Sequence, residues 1–426
     1  MKNSKILAAA SALVISTALL AACGDDDSTD SAAPESAEQS NTEGVDESAL
    51  DTGDYPTEPA EEFGKPTAEQ IGDIEGQRLA EYSILPFEAD PAFTEGGQFP
   101  VPVLRSLSNI SGLLPENATE IFGEAPINAG YTVGGATKST DGSDQSNYQH
   151  SVLSFATADE TGRIANDLHN ADVTASTEGP ATAEEVPGQP GTLVTSTPQG
   201  EGDSANVRVR AFTAHGPYLF IDQFIVPNDQ KDKALESIGR AVDQQVPLAD
   251  QFPRTPNSDE PGGGEESWPD IDQDKILIYA LRDEADDPAL LGADGSVFGP
   301  RGTAGLRLNS DVWLDLLQEV GAEHTAISAT NVFRAADDAG AEKIVNEYRR
   351  EFEEHGAAEV EGPQGLPDAL CVDDSSSLSP KKCIIQVGRY VAEIPEMQSD
   401  TDVEDMKQRT AAQYMILSKA DQKQPN

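Results

Sequence analysis

Apolar and polar positions alternate in two stretches whose spacing predicts strand pairs. Val207 to Thr213 and Tyr218 to Val226 read as the arms of a hairpin around His215-Gly216-Pro217, and a helix follows from about Gln230 with Leu235, Ile238 and Val242 on one face. The same order returns further on, as Cys383 to Val387, the turn Gly388-Arg389, Tyr390 to Ile394, and a helix from about Asp402 carrying Val403, Met406, Thr410, Tyr414 and Leu417. Thr401 to Glu404 has capping-box spacing at the start of that helix. Ahead of each hairpin a strand runs into an acidic cap and a helix. A run from Ser151 leads to Phe155-Ala156-Thr157-Ala158-Asp159-Glu160-Thr161-Gly162 and a helix with Ile164 and Leu168. Thr325 to Val332 leads to Phe333-Arg334-Ala335-Ala336-Asp337-Asp338-Ala339-Gly340 and a helix with Ile344, Tyr348 and Phe352. The two Phe motifs stand 178 residues apart and the two hairpin glycines 172, so the chain reads as a duplication. Paired strands with helices between them predict an α+β protein of two related domains, each an antiparallel sheet with helices packed on one face.

Composition sets the expected boundaries. Gln251 to Pro269, with Pro253, Pro256, Pro261 and Gly262-Gly263-Gly264, separates an N-terminal domain (50–250) from a C-terminal one (270–420), with 251–269 as linker. Residues 24–49 hold nine acids and no Lys or Arg, so 23–49 reads as a disordered acidic tether. Ahead of it, residues 1–22 have signal-peptide anatomy: Lys2 and Lys5, an apolar run from Ile6 to Leu20, then Ala21 and Ala22. Leu20-Ala21-Ala22-Cys23 resembles a bacterial lipobox, which implies cleavage before Cys23, acylation of its thiol, and anchoring to the outer face of the cytoplasmic membrane. A membrane span is not expected, because the apolar run is short and meets Gly24-Asp25-Asp26-Asp27 at once. Of the three cysteines, Cys371 and Cys383 remain as a pair in an oxidising compartment and are expected to form a disulfide.

Charge narrows the partners. Lys plus Arg number 28 against 76 Asp plus Glu, a formal charge of −48 that opposes any phosphate backbone, so no nucleic-acid partner is expected. The sequence nominates no catalytic residue, metal site or cofactor. Asp270-Ile271-Asp272-Gln273-Asp274 opens like a calcium loop, but Lys275 stands at the position for Gly and Leu281 at that for Glu, so it reads as an acidic lead-in to a strand. Asp51-Thr52-Gly53 matches a protease triplet yet sits at the end of the tether, and the G-x-S-x-G, H-E-x-x-H, phosphate-loop and dinucleotide signatures are absent. His150, His169, His215, His324 and His355 are scattered and read as surface or turn histidines. Two features remain as ligand-contact candidates. Arg208 and Arg210 project to one face of a strand and suit an anion, unless neighbouring acids take them. In Gly295-Ser296-Val297-Phe298-Gly299-Pro300-Arg301-Gly302, the residues Gly299, Arg301 and Gly302 would let a ligand approach backbone N–H groups.

The lipobox, Leu50-Asp51-Thr52-Gly53-Asp54-Tyr55-Pro56-Thr57-Glu58-Pro59, Arg78-Leu79-Ala80-Glu81-Tyr82, Val297 to Gly302, Arg389-Tyr390-Val391-Ala392 and Arg409-Thr410-Ala411-Ala412-Gln413-Tyr414 together resemble a family of actinobacterial lipoproteins with a two-part domain of unknown function. The resemblance implies an envelope lipoprotein of the mycolic-acid group and no activity. The expectation is a non-enzymatic binding or interaction module, anchored to the membrane through acylated Cys23 and recognising a cell-wall, lipid or protein partner. The alternatives are an envelope hydrolase with a dispersed carboxylate and histidine site, and a carrier of an apolar lipid between the repeats.

Overall fold

The computed structural model describes residues 44–422, apart from 97–101, 105, 124, 139–145, 175–180, 201–204, 257–262, 283–294, 375–379 and 396–402. The signal-peptide residues, Cys23, most of the tether and the Thr401 cap lie outside the described residues.

The first sheet holds β1 (Ala129–Ala136), β2 (Asn147–Ser154), β3 (Thr182–Glu184), β4 (Thr192–Gln199), β5 (Asn206–His215) and β6 (Tyr218–Pro227), in the order β1-β2-β6-β5-β4-β3 with every pair antiparallel. The second holds β7 (Ser296–Phe298), β8 (Thr325–Ile327), β9 (Asn331–Arg334), β10 (Ala358–Glu359), β11 (Leu370–Asp373), β12 (Lys381–Val387) and β13 (Tyr390–Pro395). Its order from the other edge is β7-β8-β9-β13-β12-β11-β10, again antiparallel throughout. Without β7 the two orders are the same, and β7 itself has a counterpart in the isolated bridge from Val103 to Tyr131 on β1. Each hairpin turns on a glycine in the left-handed region, Gly216 at φ 54° and Gly388 at φ 56°, where a side chain is disfavoured. The repeat is therefore one of topology. Its register differs by two residues from the alignment of the Phe motifs: Tyr218 faces Ser154 and Tyr390 faces Arg334, so Arg334 corresponds to Ser154. An even shift keeps every side chain on its face.

Helices cover both faces of each sheet, not one. α4 (Ala158–Thr174) lays Ile164 and Leu168 on Leu153, Phe212 and Ile221, while α5 (Lys231–Gln251) lays Leu235, Ile238 and Val242 on Val207, Val209 and Phe224. In the second half α8 (Asp338–His355) packs Ile344, Tyr348 and Phe352 toward Phe333, Ile384 and Val391. α9 (Val403–Leu417) packs Met406, Tyr414 and Leu417 toward Ile385, Tyr390 and Ile394 on the other side. The cause is in the strands: Tyr218 to Ile221 of β6, Cys383 to Ile385 of β12 and Tyr390 to Ala392 of β13 are apolar on both faces, and an uncovered face would leave that surface in water. The disulfide between Cys371 on β11 and Cys383 on β12 joins two residues directly opposite each other in this second sheet.

The linker at 251–269 does not separate two independent bodies, since Thr42–Asn426 forms one compact unit. α1 (Ile71–Leu79) packs on β1 of the first sheet and β7 of the second, α2 (Pro86–Ala89) on α5 and β1, α3 (Ala118–Phe122) on α4, and α6 (Pro300–Ala304) on β7 and α7 (Ser310–Glu319). One apolar core runs from Leu79, Tyr131, Val152 and Phe220 through Phe298 and Trp313 to Phe333 and Val391. The tether ends earlier than composition suggested. Val45 and Leu50 pack beside α9 and β13, and Asp46 caps a short turn at Glu47–Ala49 and bonds through its N–H to the Gly365 carbonyl at 2.9 Å. Residues 44–64 thus belong physically to the second half, where Phe63 also packs.

An ion pair lies within the shared core. Arg307 lies over the rings of Trp313, Phe333 and Tyr348 at 5.1, 5.2 and 5.5 Å and donates to Glu393 at 2.7 Å. Glu393 also accepts from Asn331 at 2.9 Å and Tyr348 at 3.0 Å, and is 5% exposed. Burial pushes its carboxyl up, but the charges of Arg307 and Lys382 and these hydrogen bonds outweigh that and lower it from 4.5 to about 2. A depressed carboxyl contributes stability that is complete above the unfolded value and lost as pH falls through the folded one. Glu393→Gln should cost about 3–5 kcal/mol at neutral pH, because it strands a buried guanidinium. In urea titrations across the acid range, the deficit relative to wild type should stay constant above the ordinary carboxylate range and shrink below it. A deficit independent of pH would mean that the carboxylate charge is not its source.

Candidate functional site: the cleft where the halves meet

α1 turns its two sides to different halves of the molecule. Ile74 enters the core beside α9, and Gln77 donates nothing but accepts the Val297 N–H at 3.0 Å. Glu75 and Arg78 pair with each other and clamp the chain after α5. Glu75 accepts from Thr255 N at 3.0 Å and Thr255 Oγ1 at 2.9 Å, while Arg78 donates to the Pro253 carbonyl at 3.1 Å and lies over Phe252.

Glu81 follows in the turn Ala80–Tyr82. Its carboxylate accepts the Arg301 N–H at 2.9 Å and the Gly302 N–H at the start of α6. Burial raises this carboxyl above its ordinary value by more than those N–H groups and the Arg301 charge lower it. The Arg301 guanidinium holds Glu88 in a fork, at 2.6 and 2.7 Å, and reaches the Ser83 carbonyl at 3.3 Å. The glycines of the 295–302 motif thus do admit an acceptor to backbone N–H groups, and the acceptor is the protein's own Glu81. A Cβ at position 299 would collide with that carboxylate, and one at 302 would lie 2.7 Å from the Phe298 ring and 2.9 Å from Ala80 Cβ.

Between these walls lies a cleft of about 340 Å³, lined by Gln77, Arg78, Glu81, Tyr82, Pro253, Gln273, Val297, Gly299, Pro300, Glu323 and His324. Gln77 is 1% exposed and its amide nitrogen has no partner among the described residues. On the far wall His324 Nδ1 meets Asp274 Oδ2 at 3.1 Å, and Arg334 meets the same oxygen at 2.7 Å. Burial raises the Asp274 carboxyl, but His324 and Arg334 together hold it below its ordinary value. Asp274, Glu323 and His324 bring potential metal ligands within 4.8 Å of one another. Arg334 already supplies the positive charge there, so the residues fit an ion-paired cluster better than a cation site. The acidic run is not a strand lead-in. It forms tight turns, with Asp274 at φ 67°, and the Asp272 carboxylate accepts the N–H groups of Ile276, Leu277 and Ile278 at 2.9, 2.8 and 3.0 Å.

The other candidates are spent on the fold. Arg210 is 3% exposed and bonds Asp172 of α4 at 2.6 Å, Gln223 and the Gly112 carbonyl. Arg208 lies two residues away on the same face of β5, half-buried. Neither enters the cleft. His150 is not a surface histidine. It is 1% exposed, with Nδ1 2.8 Å from Asp222 Oδ1 and Nε2 3.0 Å from Gln245 Oε1, and Tyr148 donates to the same Asp222 oxygen at 2.6 Å. Gln245 is oriented by accepting from Ile84 N and donating to the Tyr82 carbonyl, each at 2.9 Å, so its oxygen faces the ring. The signal was present: Tyr148, His150 and Val152 alternate on one face of β2.

The fold and cleft define an α+β protein of two repeated sheet-and-helix halves closed around a common core. The chain matches the N-terminal part of DUF7373, a domain of unknown function, over residues 62–262 and its C-terminal part over 274–420, and it belongs to the family that this two-part domain defines. None of the curated proteins compared matches it. Among solved structures it is similar to the extracellular domain of PknH from Mycobacterium tuberculosis, at 15% identity and a TM-score of 0.29, covering 44% of this chain and 100% of that one. DynU16, from the dynemicin biosynthetic locus, has 10% identity and a TM-score of 0.10, with 63% and 95% covered.

Gly299→Ala should destabilise the fold by about 1–3 kcal/mol, because the added methyl displaces the Glu81 carboxylate. The same change made in a Glu81→Ala background should cost clearly less. Urea midpoints of the four proteins give the coupling, and additive losses would show that Gly299 does not answer to Glu81.

Proposed function

We propose that this protein is a non-enzymatic, lipid-anchored binding module of an actinobacterial cell envelope, whose ligand site is the cleft between its halves. Cys23 carries the acyl anchor, and the partner belongs to the cell wall, the envelope lipids or another protein. The observation that carries the reading is the Gln77 amide nitrogen, buried in the cleft wall without a partner among the described residues. A buried donor left unmade costs about 1–3 kcal/mol, so a site that keeps one free is arranged for an acceptor from outside. Export and anchoring rest on the Leu20-Ala21-Ala22-Cys23 motif and its flanks. They agree with a buried disulfide, and no helix among the described residues is long and apolar enough to cross a membrane.

Hydrolysis is the second reading, favoured by one observation: the cleft sets a carboxyl raised by burial, Glu81, in the same lining as a histidine oriented by a carboxylate, His324. An apolar lipid carrier finds less support, because Arg, Glu and Gln side chains line this cleft.

Metabolic labelling with a fatty-acid analogue should mark the wild type and place it in the membrane fraction, and Cys23→Ser should lose the label and become soluble. That soluble variant, recovered from its native envelope, should show in its native mass spectrum a companion mass that denaturation removes and that Gln77→Ala lacks. A bare polypeptide mass, or turnover of a cell-wall or ester substrate that Glu81→Gln abolishes, would overturn the binding reading.

A further inference from the structure

A second cleft, of about 430 Å³, lies at the N-terminal end of α1. Its walls are Ile71, Gly72 and Glu75 of that helix, Ile127 to Ala129 leading into β1, Ser154 at the end of β2, and Phe252 to Pro256 with Trp268. Two polar atoms in this wall have no partner among the described residues: Ser154 Oγ, on a residue 1% exposed, and Asn128 Nδ2. The two residues are set side by side, because the Asn128 N–H donates to the Ser154 carbonyl at 2.8 Å where the β1–β2 ladder ends. Most buried polar groups in folded proteins are paired, so two free ones in the wall of one cleft call for a common explanation.

We infer that this cleft binds a neutral, hydroxyl-rich ring, a sugar of mono- or disaccharide size. The amide N–H and the hydroxyl need oxygen partners, which a sugar edge supplies, while Ile71, Ile127, Phe252 and Trp268 offer apolar surface to the C–H faces of a ring. Charge selects against anions. Glu69 and Glu75 stand in the lining, and the whole chain carries −48. Arg254 is the one cation in the lining, set against these two carboxylates, and Glu75 is already held by Arg78 and Thr255. The volume falls within the roughly 300–1,000 Å³ typical of small-molecule sites. This site is separate from the cleft at the join and does not depend on what that cleft binds.

Ser154→Ala gives the decisive test, because deleting an unpaired buried hydroxyl removes a cost rather than a contact. The full mature chain, made soluble by Cys23→Ser, is titrated by calorimetry and saturation-transfer NMR with neutral hexoses, pentoses, N-acetylhexosamines and their disaccharides. Their 6-phosphates serve as controls. The expected result is binding of at least one neutral sugar, with its phosphate weaker by at least about tenfold. Ser154→Ala and Asn128→Ala should each lose at least about tenfold in affinity with no fall in Tm. No binding across the neutral panel, equal affinity for the phosphates, or affinity retained in both Ser154→Ala and Asn128→Ala would overturn the inference, leaving ordered water alone as the partner of the two groups.

Discussion

The seat of Glu81 on the first N–H groups of α6 is the contact on which the joined structure depends. A carboxylate from the first half closes the end of a helix in the second, where the backbone N–H groups have no partner of their own. It fits because position 299 has no side chain and because Arg301 is drawn aside into a fork with Glu88. The polar contact alone would be weak if water reached it. It holds because the core beneath, from Leu79 and Ala80 to Phe298 and Ala304, is continuous across the join. Hydrophobic burial supplies the larger share of the free energy, and the carboxylate chooses the one relative placement that satisfies both sides.

The short motifs on which the family resemblance rests are parts of this assembly. Arg78 to Tyr82 and Val297 to Gly302 are the two sides of the Glu81 contact. Leu50 to Pro59 is laid along α9, where Asp51 accepts from Gln408 at 3.0 Å and the Tyr55 hydroxyl donates to Asp405 at 2.6 Å. In Arg409 to Tyr414, Arg409 donates to the carbonyls of Ala329 and Pro395, and Gln413 bridges Leu281, Thr330 and Tyr279. Each motif connects segments far apart in the chain. Leu50 to Pro59 and Arg78 to Tyr82 tie the N-terminal segment to the second half, while Arg409 to Tyr414 joins turns and strands within that half, which is why none of them looked like chemistry when taken as a string.

Much of the fold was legible because it repeats. Two hairpins turning on glycine, each followed by an amphipathic helix, sit within a few residues of where alternation and helical spacing place them, and two opposed cysteines are bridged. What was missed has a common physical cause: the sequence shows which positions are apolar but not which neighbour covers them. Near-continuous burial along β6 was the available sign that a second helix layer lay on the other face. Residues 44–49 have the composition of a tether but are held by Gly365, 319 residues beyond Asp46 in the chain, which no local pattern reveals. His150 looked solitary because Asp222 and Gln245 reach it from β6 and α5. The free amide of Gln77 and the free hydroxyl of Ser154 are the least legible of all, since an unpaired group is defined by what the finished fold leaves out.

The acidity of the chain bears on recognition through where its cations have gone. Arg78, Arg210, Arg301, Arg307, Arg334, Arg350 and Arg409 are each committed to an acid or a carbonyl within the protein. They neutralise carboxylates locally and leave the excess of Asp and Glu facing solvent. Such a surface repels anionic lipid heads and polyanions, and salt weakens that repulsion only beyond about 8–10 Å. Contact with an anionic partner at the open surface is therefore opposed on approach and little repaid on arrival. Recognition is best served where a cleft limits contact with that field, and each of the two clefts beside α1 sets one arginine among its carboxylates and holds a buried polar group without a partner among the described residues. The charge that opposes broad contact with polyanions thus favours small, uncharged contacts within a cleft.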